Sequence, residues 1–256
     1  MLKLENLKKS FGGVSATRDV TLDFADGSLS AIIGPNGAGK TTLFNLITGR
    51  FPPDTGRIVL AGKDIAGLSQ RRIVRLGIGR AFQVASLFPT LTVSEALAAA
   101  AQAHQHREAV LRSPFPLATT MRQRDEIMEL LGLTRVAGIL SRNLSHGDQK
   151  LLDIGLALAL EPKVLLLDEP TAGMGPEERW RMIETVQRLW RARGMTLIFI
   201  EHDMDIVFKV AQTVRVLSYG SVLAEGTPDQ VRTNPKVIEA YLGKSAHGTS
   251  GQGAAA

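Results

Sequence analysis

The stretch that decides the fold is Gly34-Pro35-Asn36-Gly37-Ala38-Gly39-Lys40-Thr41. It follows the pattern G-x-x-x-x-G-K-T, in which glycines let backbone N–H groups turn inward toward phosphate oxygens. The apolar run 28–33 before it predicts a strand, and residues 42–48 after it predict a helix that ends at Gly49. This order indicates a phosphate-binding loop, with Lys40 reaching the β- and γ-phosphates and the Thr41 hydroxyl ligating Mg²⁺. The loop by itself predicts ATP or GTP as ligand and does not choose between them.

A second motif is an apolar run that ends in two acids, Val164-Leu165-Leu166-Leu167-Asp168-Glu169. Such a run is typical of a buried parallel strand, and α/β sheets bind ligands at the carboxyl ends of their strands. Asp168 is therefore expected to hold Mg²⁺ through water, and Glu169 to orient or deprotonate an attacking water. Taken alone, the run could equally be a strand that ends in a solvated turn. The phosphate-binding loop upstream favours the catalytic interpretation.

Composition excludes several kinds of protein. The 256 residues are 44% hydrophobic and 21% charged, which predicts a globular chain with a substantial core. The absence of cysteine excludes a disulfide framework and thiolate metal sites. The net charge is +5, but the densest basic group, Arg71, Arg72 and Arg75, favours a solvated helix face over a nucleic-acid patch. The N-terminus lacks a signal peptide and no apolar run approaches the ~18 residues of a membrane span, so we expect a soluble chain that reaches membranes through a partner.

The predicted secondary structure changes along the chain, from strands in the first third to helices in the middle. The first third alternates apolar and polar residues, as in Leu2 and Leu4, and predicts strands. Residues 91–140 give helical signals, with a capping box at Thr92 and Glu95 and a second helix over 121–131. We predict one domain over 2–243, with a helical subdomain at about 85–150 inserted in an α/β core, and a disordered tail over 244–256.

The last part alternates strands with helices. Pro176 is expected at the first position of a helix that ends at Gly194. A hairpin is expected around Tyr219 and Gly220, and a capping box at Thr227-Pro228-Asp229-Gln230. The predicted apolar face of the helix over 176–193 consists of Trp180, Ile183, Val186 and Trp190.

The third motif, Leu144-Ser145-His146-Gly147-Asp148-Gln149, carries a family resemblance. It resembles the L-S-G-G-Q signature of the ATP-binding-cassette (ABC) ATPases. Ser145 can cap a helix, and the backbone N–H groups near Gly147 can contact a γ-phosphate. The resemblance implies that this phosphate belongs to ATP held by the opposite subunit. It also implies a P-loop NTPase fold with a mixed-sheet core, an N-terminal antiparallel β subdomain and an inserted α-helical subdomain.

Three more positions fit the same family by their order in the chain. Gln83 resembles the Q-loop glutamine that reaches Mg²⁺ and the attacking water and senses the transporter partner. His202 resembles the switch histidine at the γ-phosphate, and Phe11 resembles the aromatic residue that stacks on adenine. One position departs from the pattern, because Gly175 stands near the place of the usual D-loop aspartate.

The candidate site follows from these motifs and from the resemblance. The predicted catalytic residues are Glu169, His202 and Lys40. The predicted residues for ATP are Phe11, Gly34, Pro35, Asn36, Gly37, Ala38, Gly39, Lys40, Thr41, Thr42, Gln83, Ser145, Gly147, Gln149 and Asp168. The predicted ligands of Mg²⁺, partly through water, are Thr41, Gln83 and Asp168.

Several segments resemble one branch of the family, the ATP-binding subunits of branched-chain amino-acid importers. They are 76–83, 172–174 and 233–243. Urea and amide importers share this branch, and lipid or polysaccharide exporters have similar cassettes. A non-transport ABC ATPase is less favoured, because the chain has a single cassette with a short insert.

The resemblance implies three partners. They are a polytopic permease docked on the region Gln83–Leu140, a second ATPase subunit that is a copy or a sister, and indirectly a substrate-binding protein. We expect no nucleic acid, and a peripheral location on the cytoplasmic face of the inner membrane.

Overall fold

The computed structural model describes residues 1–81, 88–105 and 118–242. The elements in chain order are β1 (Leu2–Phe11), β2 (Val14–Phe24), β3 (Leu29–Ile33), α1 (Lys40–Ile47), β4 (Thr55–Leu60), β5 (Lys63–Asp64), α2 (Gln70–Leu76), β6 (Ile78–Ala81), α3 (Val93–Gln105), α4 (Ala118–Leu131), α5 (His146–Leu158), β7 (Val164–Asp168), α6 (Pro176–Arg193), β8 (Thr196–Ile200), α7 (Met204–Val210), β9 (Thr213–Ser218), β10 (Ser221–Gly226), α8 (Pro228–Arg232) and α9 (Pro235–Leu242). Short 3₁₀ turns lie at Thr134–Val136 and Ser141–Asn143.

The chain divides into two compact units. The first comprises Met1–Leu68 and the chain from Ile200 onward, and the second comprises Ser69–Phe199. This division differs from the predicted helical insert at 85–150, and those predicted boundaries stay a prediction. The predicted tail over 244–256 lies outside the described residues.

The first unit contains an antiparallel sheet in the order β2-β1-β4-β5. The predicted alternation is confirmed, because Leu2 pairs with Phe24 and Leu4 with Leu22, and all four side chains are buried. Period-two alternation places these side chains on one face of the sheet, which forms a core. The N-terminal antiparallel region of the expected fold is therefore present.

The first unit also contains strands in the order β10-β9-β3. Strand β3 runs parallel to β9 and is buried along its whole length, whereas β9 and β10 form an antiparallel hairpin. The hairpin turns at Tyr219 and Gly220, with φ of 48° and 79°, as the sequence predicts. The capping box at Thr227 and Gln230 also forms and begins α8. A parallel and an antiparallel neighbour on β9 give the mixed sheet that the fold class requires.

The second unit contains strands in the order β8-β7-β6, surrounded by helices. Strand β7 is fully buried and parallel to β6, as its uninterrupted apolar run predicts. The capping box of α3 forms, since Thr92 N–H donates to Glu95 and Glu95 N–H donates to the Thr92 hydroxyl. Helix α4 ends at Gly132 as predicted, but begins at Ala118 instead of Met121.

The buried face of α6 differs from the prediction. Its buried residues are Met182, Ile183, Val186 and Leu189, whereas Trp180 and Trp190 are only half-buried. Tryptophan is large and carries a polar N–H, so it often lies at the margin of a core instead of inside it. The apolar face is therefore rotated from the predicted one.

Candidate nucleotide-binding site

The phosphate-binding loop connects β3 to α1. Two of its glycines cannot be replaced without moving the backbone, because a Cβ on Gly34 would lie 2.2 Å from the Leu217 carbonyl oxygen and one on Gly39 would lie 2.3 Å from that of Ala16. Gly39 also has a left-handed φ of 100° and directly precedes Lys40, the first residue of α1. The loop thus lies against its neighbouring backbone and presents a helix N-terminus, an arrangement that binds phosphate.

Lys40 folds back over this loop. Its ammonium group is buried and donates to the carbonyl oxygens of Gly34 at 2.6 Å and Pro35 at 3.1 Å. The two carbonyls hold the Lys40 ammonium at the loop, within reach of the phosphate oxygens that the loop would bind. Thr41 is exposed in the first turn of α1 and Thr42 is half-buried. The loop therefore fits the phosphate groups of a nucleotide.

Phe11 lies at the end of β1 and is 42% exposed. Its ring packs edge-on against Phe51, with centroids 5.3 Å apart and planes at 73°. The edge-to-face contact fixes the Phe11 ring while leaving part of it open, so that a base can stack on it. Phe51 was not predicted from the sequence, because only the fold brings it beside Phe11.

His202 follows β8 and is exposed. Its backbone N–H donates to the buried carboxylate of Glu201 at 3.1 Å. The next residue, Asp203, caps α7 by accepting from the N–H groups of Asp205 and Ile206. Hydrogen bonds of both neighbours thus hold the backbone beside His202, whose side chain is exposed.

Asp168 ends β7 in the second unit and forms a buried ion pair with Arg80 of β6. The Arg80 Nη2 to Asp168 Oδ2 distance is 2.6 Å, and the two side chains are 6% and 4% exposed. The sequence interpretation missed this pair. Its signal was Arg80 near the end of a strand that precedes Gln83. Gln83 itself lies outside the described residues. The ion pair orients the Asp168 carboxylate that we expect near Mg²⁺.

Glu169 comes directly after β7 and has a left-handed φ of 48°. This conformation costs a non-glycine residue roughly 1 kcal/mol, so the surrounding structure must hold it. Glu169 is half-buried, and its carbonyl accepts from the N–H of Ala172 at 3.1 Å. The abrupt turn directs the chain away from the strand at the position where a catalytic carboxylate is predicted.

The signature segment begins α5, and Ser145 is its N-cap as predicted. The Ser145 hydroxyl accepts from Asp148 N–H at 3.2 Å and donates to the Asp148 carboxylate at 2.9 Å. That carboxylate also pairs with Arg135. The Gln149 amide donates to the Leu144 carbonyl at 3.2 Å. These bonds fix the first turn of α5, whose N–H groups are expected to meet a phosphate.

The signature segment also packs against the chain that leads into α6. The His146 ring nitrogen Nε2 lies 3.0 Å from the Ala172 carbonyl oxygen. A Cβ on Gly147 would lie 2.3 Å from the carboxylate oxygen Oε1 of Glu178. Glycine at 147 therefore leaves room for the flexible end of the Glu178 side chain. The contact of His146 with Ala172 places the signature beside the segment that follows Glu169.

The structure thus places the predicted residues in two groups. In the first unit lie the phosphate-binding loop, Phe11 and His202. In the second lie Asp168, Glu169 and the signature residues Ser145, Gly147 and Gln149. Among residues 1–81, 88–105 and 118–242, no set of three or more acidic or histidine side chains could enclose a metal, and no helix is both long and apolar enough to cross a bilayer.

Gly175, at the place of the usual D-loop aspartate, is the N-cap of α6. Its φ of −68° suits any residue, no side chain caps the helix, and a Cβ would meet open space. Gly175→Asp is therefore expected to stabilise the protein by a few tenths of a kcal/mol, about 1 °C in melting temperature. Gly175→Ala should lower the melting temperature, because alanine is a poor N-cap. If both variants shifted the melting temperature in the same direction, the result would contradict an N-cap role for residue 175.

Comparison with known proteins finds related sequences and structures. The family model described as ABC transporter matches residues 17–172, and that of the branched-chain amino acid ATP-binding cassette transporter matches 221–247. LivG of Escherichia coli (strain K12), a high-affinity branched-chain amino acid transport ATP-binding protein, is 36% identical over 96% of this chain and 98% of its own. CysA of Thermosynechococcus vestitus, a sulfate/thiosulfate import ATP-binding protein, is 36% identical over 91% of this chain and 66% of its own. The ADP conformation of MJ1267, an ATP-binding cassette of an ABC transporter, has a TM-score of 0.82 at 33% identity, covering 95% of this chain and 98% of MJ1267.

Proposed function

Because the chain belongs to the ABC transporter family and is an ATP-hydrolysing transport subunit, we propose that it energises the uptake of branched-chain or related amino acids. The C-terminal family match at 221–247 supports this cargo. Percentage identity alone does not distinguish this cargo from others. LivG and CysA are both 36% identical to the chain, and their names give different cargoes. Urea or amide import and lipid or polysaccharide export are the competing cargoes.

The ATPase role is supported best by the buried Lys40 ammonium, which donates to two carbonyl oxygens of its own loop. In this proposal Lys40 neutralises charge on the β- and γ-phosphates, and Phe11 stacks on the adenine. Mg²⁺, when bound, would neutralise the remaining phosphate charge, with Thr41, Asp168 and Gln83 as its protein ligands. Arg80 keeps the Asp168 carboxylate oriented for that role.

We assign the water-directed chemistry to two residues. Glu169 accepts a proton from the attacking water or orients it, and His202 donates to the γ-phosphate oxygens. The hydrogen bonds that hold the backbone at Glu169 and beside His202 support this assignment, since catalysis of phosphoryl transfer depends on positioning and electrostatics.

We propose that the site is completed by another cassette, either a copy or a sister of this chain. The Ser145 loop of one subunit would cover the ATP held by the Lys40 loop of the other. The fixed first turn of α5 supports this role, because a helix N-terminus attracts phosphate.

We propose that the permease docks on the region 83–140, so that the chain works at the cytoplasmic face of the cell membrane. Two segments of this region lie side by side, since Val93 N–H donates to Ile139 at 3.1 Å and Ser141 N–H donates to Leu91 at 2.9 Å. On these segments Phe88 is 50% exposed to solvent and Ile139 is 40% exposed. These two side chains would contribute apolar area to a permease contact, since contiguous apolar surface is what marks interaction sites.

Uptake in the native host tests the cargo. Deleting the gene for this chain should abolish high-affinity uptake of radiolabelled leucine and leave urea and sulfate uptake unchanged. The intact gene should restore leucine uptake, and Glu169→Gln should not. Normal leucine uptake together with lost urea or sulfate uptake would contradict the proposed cargo.

A further inference from the structure

The segment 49–54 lies between α1 and β4 and bonds to both α1 and β1. The Arg50 N–H donates to the Asn45 carbonyl of α1 at 2.9 Å, and the Asp54 N–H donates to the Lys8 carbonyl of β1 at 2.8 Å. Helix α1 begins in the phosphate-binding loop, and β1 ends at the aromatic residue that is predicted to stack on adenine. The segment therefore links the phosphate part of the predicted site to the base part.

The Asp54 side chain takes the place of a strand partner near the end of β1. Pairing of β1 with β4 reaches Lys8 and Thr55. Two residues further along β1, the Ser10 N–H donates to the Asp54 carboxylate oxygen Oδ2 at 2.8 Å. A side-chain acceptor satisfies such a backbone donor as a neighbouring strand would. The carboxylate therefore holds the backbone of the residue directly before Phe11.

The same carboxylate also holds Lys9. The Lys9 ammonium donates to Oδ1 of Asp54 at 2.7 Å, and the Lys9 side chain is only 14% exposed. The ammonium lies 5.6 Å from the centroid of the Phe11 ring, which is within the range of a cation–π contact. The hydrogen bonds from Lys9 and from the Ser10 N–H lower the pKa of Asp54, so this carboxylate is ionised at physiological pH.

The segment 49–54 also supplies Phe51, whose ring meets the edge of the Phe11 ring. Phe11 thus has two neighbours, the Phe51 ring and the Lys9 ammonium, and the segment holds both of them. Part of the Phe11 ring nevertheless stays exposed. An aromatic side chain that is already held loses less conformational freedom when a base stacks on it, and this strengthens binding.

We propose that Asp54 and Phe51 are positioning residues for recognition of the base. Asp54 fixes the backbone and the cation beside Phe11, and Phe51 fixes the ring itself, so both act through Phe11. This inference rests on the proposed function, because it requires adenine to stack on Phe11. It predicts that changes at Asp54 or Phe51 weaken the base contact and leave the phosphate contacts of Lys40 unaltered.

Calorimetry on the full chain with Mg²⁺ tests this role with two ligands, ADP and inorganic pyrophosphate. ADP has a base, whereas pyrophosphate has only phosphates. We expect Asp54→Ala to weaken ADP about three- to tenfold and to leave pyrophosphate unchanged. Asp54→Asn keeps an acceptor for the Ser10 N–H but loses the charge that holds Lys9, so its loss should be smaller. Equal losses for both ligands, or an unchanged ADP affinity in Asp54→Ala, would overturn the role of Asp54.

Phe51→Leu tests the aromatic contact separately. Leucine keeps apolar volume but removes the ring that meets Phe11 edge-on. This variant should weaken ADP about twofold to tenfold and again leave pyrophosphate unchanged. An unchanged ADP affinity would contradict the role of Phe51.

Double variants show whether these residues act through Phe11. Phe11→Ala removes the ring and should itself weaken ADP by about tenfold. Adding Asp54→Ala or Phe51→Leu to Phe11→Ala should then cause no further loss, because the ring that they position is gone. Losses that simply add to that of Phe11→Ala would overturn the proposal.

Asp23→Asn is the matched control. Asp23 pairs with Lys3 of β1 at 2.9 Å on the exposed surface of the same sheet, so the variant also removes a carboxylate–lysine pair from β1. We expect it to bind both ligands as the unaltered chain does. An ADP loss equal to that of Asp54→Ala would show that the position of Asp54 has no special role. Thermal melts show that each variant is folded, since exposed ion pairs contribute little stability.

Failure of the proposed base contact gives a different result from failure of this inference. If Phe11→Ala bound ADP as tightly as the unaltered chain, adenine would not stack on Phe11, and both proposals would be contradicted. If Phe11→Ala weakened ADP while Asp54→Ala and Phe51→Leu did not, the base contact would stand and the positioning role alone would be overturned.

Discussion

Replacing Glu169 with glutamine is expected to lower the rate of ATP hydrolysis by about a hundredfold to ten-thousandfold, with little change in ATP affinity. Glutamine has the shape of glutamate but accepts no proton, so the water loses its base. The strained turn is unaffected, because the left-handed φ of 48° belongs to the backbone. The measurement is phosphate release at saturating ATP, together with binding of a fluorescent ATP analogue.

A matched control is Glu177→Gln. Glu177 is an exposed carboxylate in the first turn of α6 that pairs with Arg181 on the surface. The Glu177 variant should hydrolyse ATP at the wild-type rate. A Glu169→Gln chain that is folded and hydrolyses ATP at that rate would show that Glu169 is not the catalytic carboxylate.

Breaking the ion pair between Arg80 and Asp168 is expected to have the largest effect on stability. Each group is almost fully buried, so removing one takes a 2.6 Å ion pair away from a charge that stays in the interior. We expect Arg80→Met or Asp168→Asn to lower the free energy of unfolding by about 3–5 kcal/mol. Urea denaturation of the nucleotide-free chain measures this loss.

The double variant measures the coupling between Arg80 and Asp168 separately from the contacts that each side chain makes with other residues. Arg80→Met combined with Asp168→Asn should cost less than the sum of the single losses, because no unpaired charge remains. Arg57→Gln breaks an exposed pair with Glu5 and should cost less than about 1 kcal/mol. Additive losses at Arg80 and Asp168 would contradict their coupling.

Local patterns predicted much of the fold. The capping boxes at Thr92 and Thr227, the glycine end of α6 and the hairpin at Tyr219 all formed where the sequence placed them. Each depends on residues a few positions apart, so its physical cause lies within the predicted segment.

Features that depend on distant parts of the chain were missed. Arg80 and Asp168 are 88 residues apart, and only the pairing of β6 with β7 brings them together. Phe51 contacts Phe11 through the fold, and no local spacing indicates it. The left-handed backbone at Glu169 likewise depends on the packing that follows β7. The sequence indicated which side chains carry charge, but not which of them would be paired.

The proposed ATP site shared by two subunits is tested most directly by the molar mass of the Glu169→Gln chain in solution, measured by light scattering. In the proposed mechanism, ATP joins the Lys40 loop of one subunit to the Ser145 loop of another. Without a sister subunit, a second copy should take that place. We therefore expect about twice the 27.6 kDa of one chain with saturating ATP and Mg²⁺, and one chain with ADP. A chain that is saturated with ATP and keeps the mass of a single copy would contradict the shared site.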